Sequence, residues 1–286
     1  MTEIVTVGVV GAGTMGSGIA HVFARSGFKV LLCDVDQRVL DRALGQIRTN
    51  LGREAAKGRL AAAEVEPALA RITTIADREA LAAAEFAIEA APERFDLKAE
   101  IFCALDSILP ASAILSTNTS SISITRLAAL TLRPTQVIGM HFFNPVPVLK
   151  LVEVISSLLT SAETTERVHD FASGPLKKRV ITSPDRAGFV VNALLIPYLL
   201  SAVRMLESGF ASADDIDTGM VVGCAHPLGP LALTDLIGLD TTLAVAESLY
   251  EEFKEPHMAP PPLLSRMTQA GLLGRKSGQG FYSYKK

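Results

Sequence analysis

Along residues 1–186, short continuous apolar runs alternate with stretches whose apolar residues recur every three or four positions. Runs of the first kind mark strands buried on both faces. The second spacing marks helices that lay one apolar stripe over them. The runs at 4–10, 29–33, 86–90, 113–116 and 137–140 predict strands. Residues 14–26 predict a helix stopped at Gly27, residues 36–69 a helical excursion broken near Gly58, and residues 94–108 a further helix. Alternation of this kind predicts βαβ units around a mainly parallel sheet.

From about residue 187 the strand pattern fades and helical spacing takes over, across 189–208, 212–222, 231–237 and 239–253. Ser212 and Asp215 have the spacing of a helix-capping pair. The proline-rich run 257–264 predicts irregular or extended backbone, because each proline restricts the residue before it. Pro175 falls in a turn from helix to strand. The expected fold class is α/β: a domain with a mainly parallel sheet over residues 1–186, then an all-α domain over 187–286.

Composition narrows the classes. The 286 residues contain 49% hydrophobic side chains, enough for a sizeable core, and the length suits about two domains. The net charge of −3 argues against a nucleic-acid partner, whose binding needs Lys and Arg against phosphates. The three cysteines, Cys33, Cys103 and Cys224, match no metal knuckle or redox pair, and are expected as buried reduced thiols in a cytoplasmic protein. No metal site is expected. The opening residues lack the basic-then-apolar pattern of a signal peptide. The most membrane-like stretch, 187–203, is interrupted by Asn192, Pro197 and Ser201 and falls short of the ~20 apolar residues a span requires. A buried core or dimer helix is expected there.

The strongest local motif is Gly11-Ala12-Gly13-Thr14-Met15-Gly16, placed between the first predicted strand and the first predicted helix. Gly11 permits a tight turn, Gly13 lets the backbone approach a pyrophosphate, and Gly16 lets helix and strand pack closely. The helix N-terminus adds unpaired N–H groups and partial positive charge. Asp34 ends the second predicted strand, 18 residues after Gly16. A carboxylate there can accept from ribose hydroxyls and repels a 2′-phosphate, which points to NAD over NADP and makes residues 1–186 a Rossmann-like dinucleotide-binding domain. Asp36 is the expected cap of the helix that follows.

Candidate chemistry clusters between residues 116 and 153. Ligands of open α/β sheets sit beyond the carboxyl ends of the strands, where the polar run Thr117-Asn118-Thr119-Ser120-Ser121 and His141 would lie. Imidazole suits proton transfer from an alcohol near neutral pH, and it works best when a second group fixes its tautomer. Glu153 is the candidate, because His141 and Glu153 are symmetric about Pro147. If the chain doubles back there, the two face each other on adjacent strands.

With these stretches in hand, the chain resembles the 3-hydroxyacyl-CoA dehydrogenase family, particularly its short bacterial 3-hydroxybutyryl-CoA members. The similarity spans essentially the whole chain. It rests on GAGTMGSGIA (11–20), TNTSSISIT (117–125), IGMHFFNPVPVLKLVEV (138–154), AGFVVN (187–192), HPLGPLALTDLIGLD (226–240) and LLGRKSGQGFY (272–282). The resemblance implies a reversible, NAD-dependent oxidation of an (S)-3-hydroxyacyl-CoA. It implies His141 as the acid/base, Glu153 as its orienting partner, and Ser120 and Asn192 as groups that hold the substrate oxygen. It places Glu93, Lys98, Ser120, Asn144 and Lys276 with Gly11–Gly16 and Asp34 in the NAD site. Ser120, Asn144, Asn192, Lys57 and Asn50, which stands where some members have serine, fall on the acyl-CoA side. It also implies a homodimer formed through the helical domain. The chain departs from the family pattern at 155–157, 173–179 and 183–186. Two alternatives remain at this stage: a non-catalytic NAD-binding structural protein on the same scaffold, and a dehydrogenase of a hydroxy acid that is not a CoA thioester. His226 is expected to be structural, and His21, His169 and His257, which have no supporting partners in the sequence, to be surface or packing residues.

Overall fold

The computed structural model describes residues 4–284, so residues 1–3 and 285–286 of the two expected domains lie outside the described residues. The chain divides into two units, one ending at Asp185 and the other beginning at Arg186.

In the first unit, β1 (Thr6–Val10), β2 (Lys29–Cys33), β3 (Ile72–Ile75), β4 (Phe86–Glu89), β5 (Ile114–Thr117), β6 (Val137–Phe142), β7 (Leu151–Ser156) and β8 (Arg179–Pro184) form one sheet. Its order is β3-β2-β1-β4-β5-β6-β7-β8. The first six strands run parallel, β7 is antiparallel to β6, and β8 is parallel to β7. The strand order reverses between β1 and β4, the place where doubly wound sheets open a crevice for ligands.

Of these strands, β3 was not predicted from sequence, and β7 and β8 were implied only by the reversal about Pro147 and the turn at Pro175. β3 has only two apolar residues around Thr73 and Thr74, β7 follows a proline strap, and β8 is a half-exposed edge strand ending in Pro184. An edge tolerates proline because one side of the ladder is open.

The first helix, α1 (Thr14–Arg25), lies over the sheet, and the predicted excursion resolves into α2 (Gln37–Ala56) and α3 (Val65–Ala70). The break falls at Gly58, whose φ of +66° suits glycine. Asp36 caps α2 by accepting from the Arg38 amide at 2.9 Å. The remaining helices of this unit are α4 (Phe95–Ile108), α5 (Ile124–Ala128) and α6 (Ala162–Ser173). Phe23 of α1 packs edge-on against Phe86 and Phe142 of the sheet and lies 5.6 Å from Phe171 of α6. Each such aromatic pair adds roughly 0.5–1.5 kcal/mol beyond the area it buries.

The second unit contains α7 (Val191–Glu207), α8 (Ala213–Thr218) running into a π-helical turn (Gly219–Gly223), α9 (Pro230–Ile237), α10 (Leu239–Phe253) and α11 (Pro262–Gln269). Leu199, Leu200, Val203, Leu231, Leu239, Ala246, Leu249 and Leu264 form its core. Two buried aspartates tie its segments together. Asp217 accepts from the amides of Leu231 and Ala232, and Asp235 from those of Phe281 and Tyr282. Gly229 and Gly280 are glycines for that reason: a Cβ would stand 2.3 Å and 2.0 Å from the two carboxylates.

The proline-rich run 257–264 departs from expectation. Pro262 opens α11 from its first turn, where a missing N–H is no loss. The cysteines also differ from expectation: Cys33 is buried, but Cys103 and Cys224 are exposed. Helix α4 buries Lys98, Ile101, Phe102 and Leu105 on one stripe, which leaves position 103 outward. Burial pushes the Cys33 thiol up to about 11. Among the described residues, no helix is long and apolar enough to cross a membrane.

Candidate active site

The loop between β1 and α1 takes its shape from its glycines. Gly11 has φ +98° and donates its amide to the Cys33 carbonyl at 2.8 Å. A Cβ on Gly16 would stand 1.7 Å from the Gly11 carbonyl oxygen, so only glycine fits there. A Cβ on Gly13 would meet nothing within 4 Å, which leaves open space in front of the helix. Gly13 is the N-cap of α1. No side chain caps that end and its first turn holds no acid, so its amides are available to an anion. Asp34, at the end of β2, accepts from the Ala12 amide at 2.8 Å and the Asp36 amide at 3.1 Å. The carboxylate therefore holds the loop as well as offering lone pairs outward. These features fit the pyrophosphate and ribose of a dinucleotide.

Glu153 of β7 lies opposite His141 in the antiparallel register with β6, and His141 Nδ1 stands 2.7 Å from Glu153 Oε2. Glu153 is fully buried and His141 is 6% exposed. The Phe143 ring lies 4.7 Å from the imidazole, edge-on. That N–O distance is in the range of a charge-assisted hydrogen bond. With the Nδ1 proton directed at Glu153, Nε2 keeps its lone pair for another proton.

The polar run after β5 is organised by acids that sequence reasoning did not connect. Glu93 accepts from the amides of Ser120 and Ser121 at 3.0 Å each, from Ser121 Oγ at 2.8 Å, and from the Thr119 hydroxyl. Buried Lys98 reaches 2.6 Å from Glu89 Oε1 and 3.3 Å from Glu93 Oε2. Thr117 Oγ1 donates to the other Glu89 oxygen at 2.7 Å. Burial alone would raise Glu93, but Lys98 and the Thr119, Ser121 and Ser120 donors outweigh it and hold the carboxyl below its ordinary range. Burial pushes Glu89 upward, against the pull of Lys98. Asn118 Oδ1 accepts from the Phe142 amide at 2.9 Å, which fastens this loop to the end of β6. The sequence clue to Glu89 was an acid ending a fully apolar strand. Asn118 carried no clue beyond its place in the run.

The structure thus joins Glu93 and Lys98 to Ser120, Asp34 to Ala12, and His141 to Glu153. Asn144 and Asn50 line a cavity of about 480 Å³ between α1, α2 and the strap 144–147, together with Ala12, Gly13 and Thr14. Asn50 accepts from Gln46 Nε2 at 3.0 Å. Lys57 is the exposed C-cap of α2 and does not line that cavity. In the second unit, half-buried Asn192 stands in the first turn of α7, and Lys276 pairs with Asp240 at 2.5 Å. His226 Nδ1 lies 3.2 Å from the Tyr198 hydroxyl. His21 packs inside α1, one of the two expected settings, but has a partner in Glu54 3.5 Å away, and half-buried His169 likewise has one in Asp170 at 3.2 Å. Among the described residues, no group of three or more His, Cys, Asp or Glu side chains is placed to hold a metal ion.

The family model of the 3-hydroxyacyl-CoA dehydrogenase NAD binding domain matches residues 6–186, and that of the C-terminal domain matches 188–284. The chain belongs to the 3-hydroxyacyl-CoA dehydrogenase family. A 3-hydroxybutyryl-CoA dehydrogenase of Mycobacterium tuberculosis is 49% identical over 279 residues, 97% of this chain and 98% of the relative. The crystal structure of M. tuberculosis FadB2 superposes with a TM-score of 0.97 at 48% identity, covering 99% of this chain and all of the other. That of the (S)-3-hydroxybutyryl-CoA dehydrogenase PaaH1 from Ralstonia eutropha superposes with a TM-score of 0.94 at 47% identity, with the same coverage. For a 3-hydroxyacyl-CoA dehydrogenase, the open space at Gly13 and the uncapped helix end are the features of its own chain that fit NAD.

Proposed function

We propose that the protein interconverts (S)-3-hydroxybutyryl-CoA and acetoacetyl-CoA with NAD. The observation that carries this reading is the buried His141–Glu153 pair at the carboxyl end of β6, the edge to which the Gly11–Gly16 loop also belongs. NAD, when bound, supplies the hydride acceptor. In the direction of oxidation, Nε2 of His141 takes the C3 hydroxyl proton while Glu153 balances the imidazolium that forms. Ser120 and Asn192 hold the charge that builds on the substrate oxygen. In reduction, His141 returns the proton.

Glu93 and Lys98 act one step back: they set the backbone that presents Ser120. Asp34 holds the adenosine ribose and disfavours a 2′-phosphate. Asn144, Asn50 and Lys57 belong to the acyl-CoA side, and Lys276 with Asn144 to the cofactor side. We take the enzyme to be a cytoplasmic homodimer, with the helical unit of residues 187–286 contributing Asn192, Lys276 and the dimer contact. Supplying racemic 3-hydroxybutyryl-CoA with NAD tests the reading. Half the thioester should be consumed, leaving the (R) form. Consumption of both forms, or equal rates with free 3-hydroxybutyrate, would contradict it.

A further inference from the structure

Strand β5 pairs with β6 as far as Thr117 opposite Gly139. Past that pair β6 continues through Met140, His141 and Phe142, with β7 along its other side. About 10 Å of strand, at ~3.3 Å per residue, therefore runs beyond the β5 ladder, and His141 sits in the middle of it. The β7 register fixes His141 against Glu153. It does not fix His141 against the loop after β5, which carries Ser120.

Asn118 bridges that gap. It directly follows β5, and its side-chain Oδ1 accepts from the Phe142 amide at 2.9 Å. A side chain thus stands in for a further rung of the ladder. Both ends of the bridge are anchored. On the loop side, the Asn118 amide donates to the Glu89 carbonyl at 2.8 Å. The Thr119 amide donates to Thr117 Oγ1 at 3.1 Å, and the Ser120 amide to Glu93 Oε1 at 3.0 Å. On the strand side, Phe142 is buried and its ring packs edge-on against Phe23. Residues 118–120 are therefore held as one piece, and Asn118 ties that piece to the neighbour of His141. A backbone N–H shielded from water at the end of a ladder needs an acceptor, and the Asn118 amide oxygen provides one. It does so without charge, so it does not compete with Glu153 for the imidazole.

We propose that Asn118 is a positioning residue that sets the distance between Ser120 and His141. The inference rests on the reading that these two groups meet the same substrate oxygen, Ser120 by hydrogen bonding and His141 by taking or returning its proton. Groups on two separate segments can share one oxygen only while the segments keep their separation. A displacement of about 1 Å can cost about 100-fold in rate.

The test is a double-mutant cycle on the reduction of acetoacetyl-CoA by NADH. Asn118→Ala alone should lower kcat about 10- to 100-fold. The KM for acetoacetyl-CoA and the Kd of NADH should stay within about threefold of wild type, because the lost interaction acts on the transition state. In the Ser120→Ala background the same substitution should cost less than about threefold, since the spacing that it protects no longer matters. Equal costs in the two backgrounds would show that Asn118 supports only the fold, and would overturn the proposal. So would a kcat for Asn118→Ala within about threefold of wild type.

Asn118→Leu keeps the volume of the side chain and lacks the acceptor, so it gives the same cycle should the alanine variant fold poorly. Hydrogen exchange reads the bond itself. The Phe142 amide should exchange faster in either variant, and an unchanged rate would overturn the proposal. A wild type that does not turn over acetoacetyl-CoA would instead contradict the dehydrogenase reading, while exchange at Phe142 would still report on the bridge.

Discussion

Replacing Glu153 by Gln keeps the shape of the buried pair and removes its charge. In the wild type the carboxylate is fully buried and 2.7 Å from His141 Nδ1, so solvent cannot substitute for it. Two estimates bracket the effect. A hydrogen bond to a charged group contributes about 1.5–3 kcal/mol. Coulomb attraction of an imidazolium and a carboxylate about 4 Å apart, at an effective dielectric constant near 20, is about 4 kcal/mol. The range of about 1.5–4 kcal/mol acts on the state in which His141 carries the extra proton, and at ~1.36 kcal/mol per decade it lowers kcat about 10- to 1000-fold. The assay is NAD reduction with saturating (S)-3-hydroxybutyryl-CoA, with NADH affinity and melting temperature measured in parallel. Binding of NADH should change less than about threefold, because Glu153 does not belong to the Gly11–Gly16 loop. A kcat within about threefold of wild type would refute the argument that Glu153 stabilises the protonated imidazole.

Two further predictions concern other groups. Asp34→Gly removes the proposed ribose acceptor and the bonds to the Ala12 and Asp36 amides; the ratio of kcat/KM for NADH over NADPH should fall at least about tenfold, and an unchanged ratio would remove Asp34 from cofactor selection. Lys178 is pushed down to about 8, first by burial and then by Arg25, from an ordinary value of 10.5. Between these values the unfolded chain binds more protons at this site than the folded one, so this residue's contribution to stability rises with pH from about 8 to 10.5. Denaturation across that window should show the wild type gaining on Lys178→Met, and parallel curves would contradict the assignment.

Much of the fold was legible because its signals are local. Runs such as 4–10 and 86–90 are apolar apart from Thr6, Gly8 and Glu89, since both faces of a central parallel strand are covered, and the helices over them show one apolar stripe. The reversal about Pro147 could be inferred from the spacing of His141 and Glu153, and the register pairs those two residues. The parts that escaped are those in which through-space contact, not pattern, decides. Thr73 and Thr74 masked β3, and β8 carries the mixed character of an edge. Glu89 gives no sign in sequence that it will share Lys98 with Glu93 and receive the Thr117 hydroxyl. His21 looked isolated because its partner, Glu54, lies on another helix 33 positions away. Roles for Asn50, Lys57, Asn192 and Lys276 came through family resemblance, since each taken alone is an ordinary polar or charged helix or loop residue.

The most direct measurement is the rate of NADH loss at 340 nm when the purified protein meets acetoacetyl-CoA, with NADPH and free acetoacetate run in parallel. The expected result is rapid oxidation of NADH that requires the thioester, with NADPH and the free acid both poor. NADH that binds without turnover, or equal rates with and without the CoA arm, would contradict it.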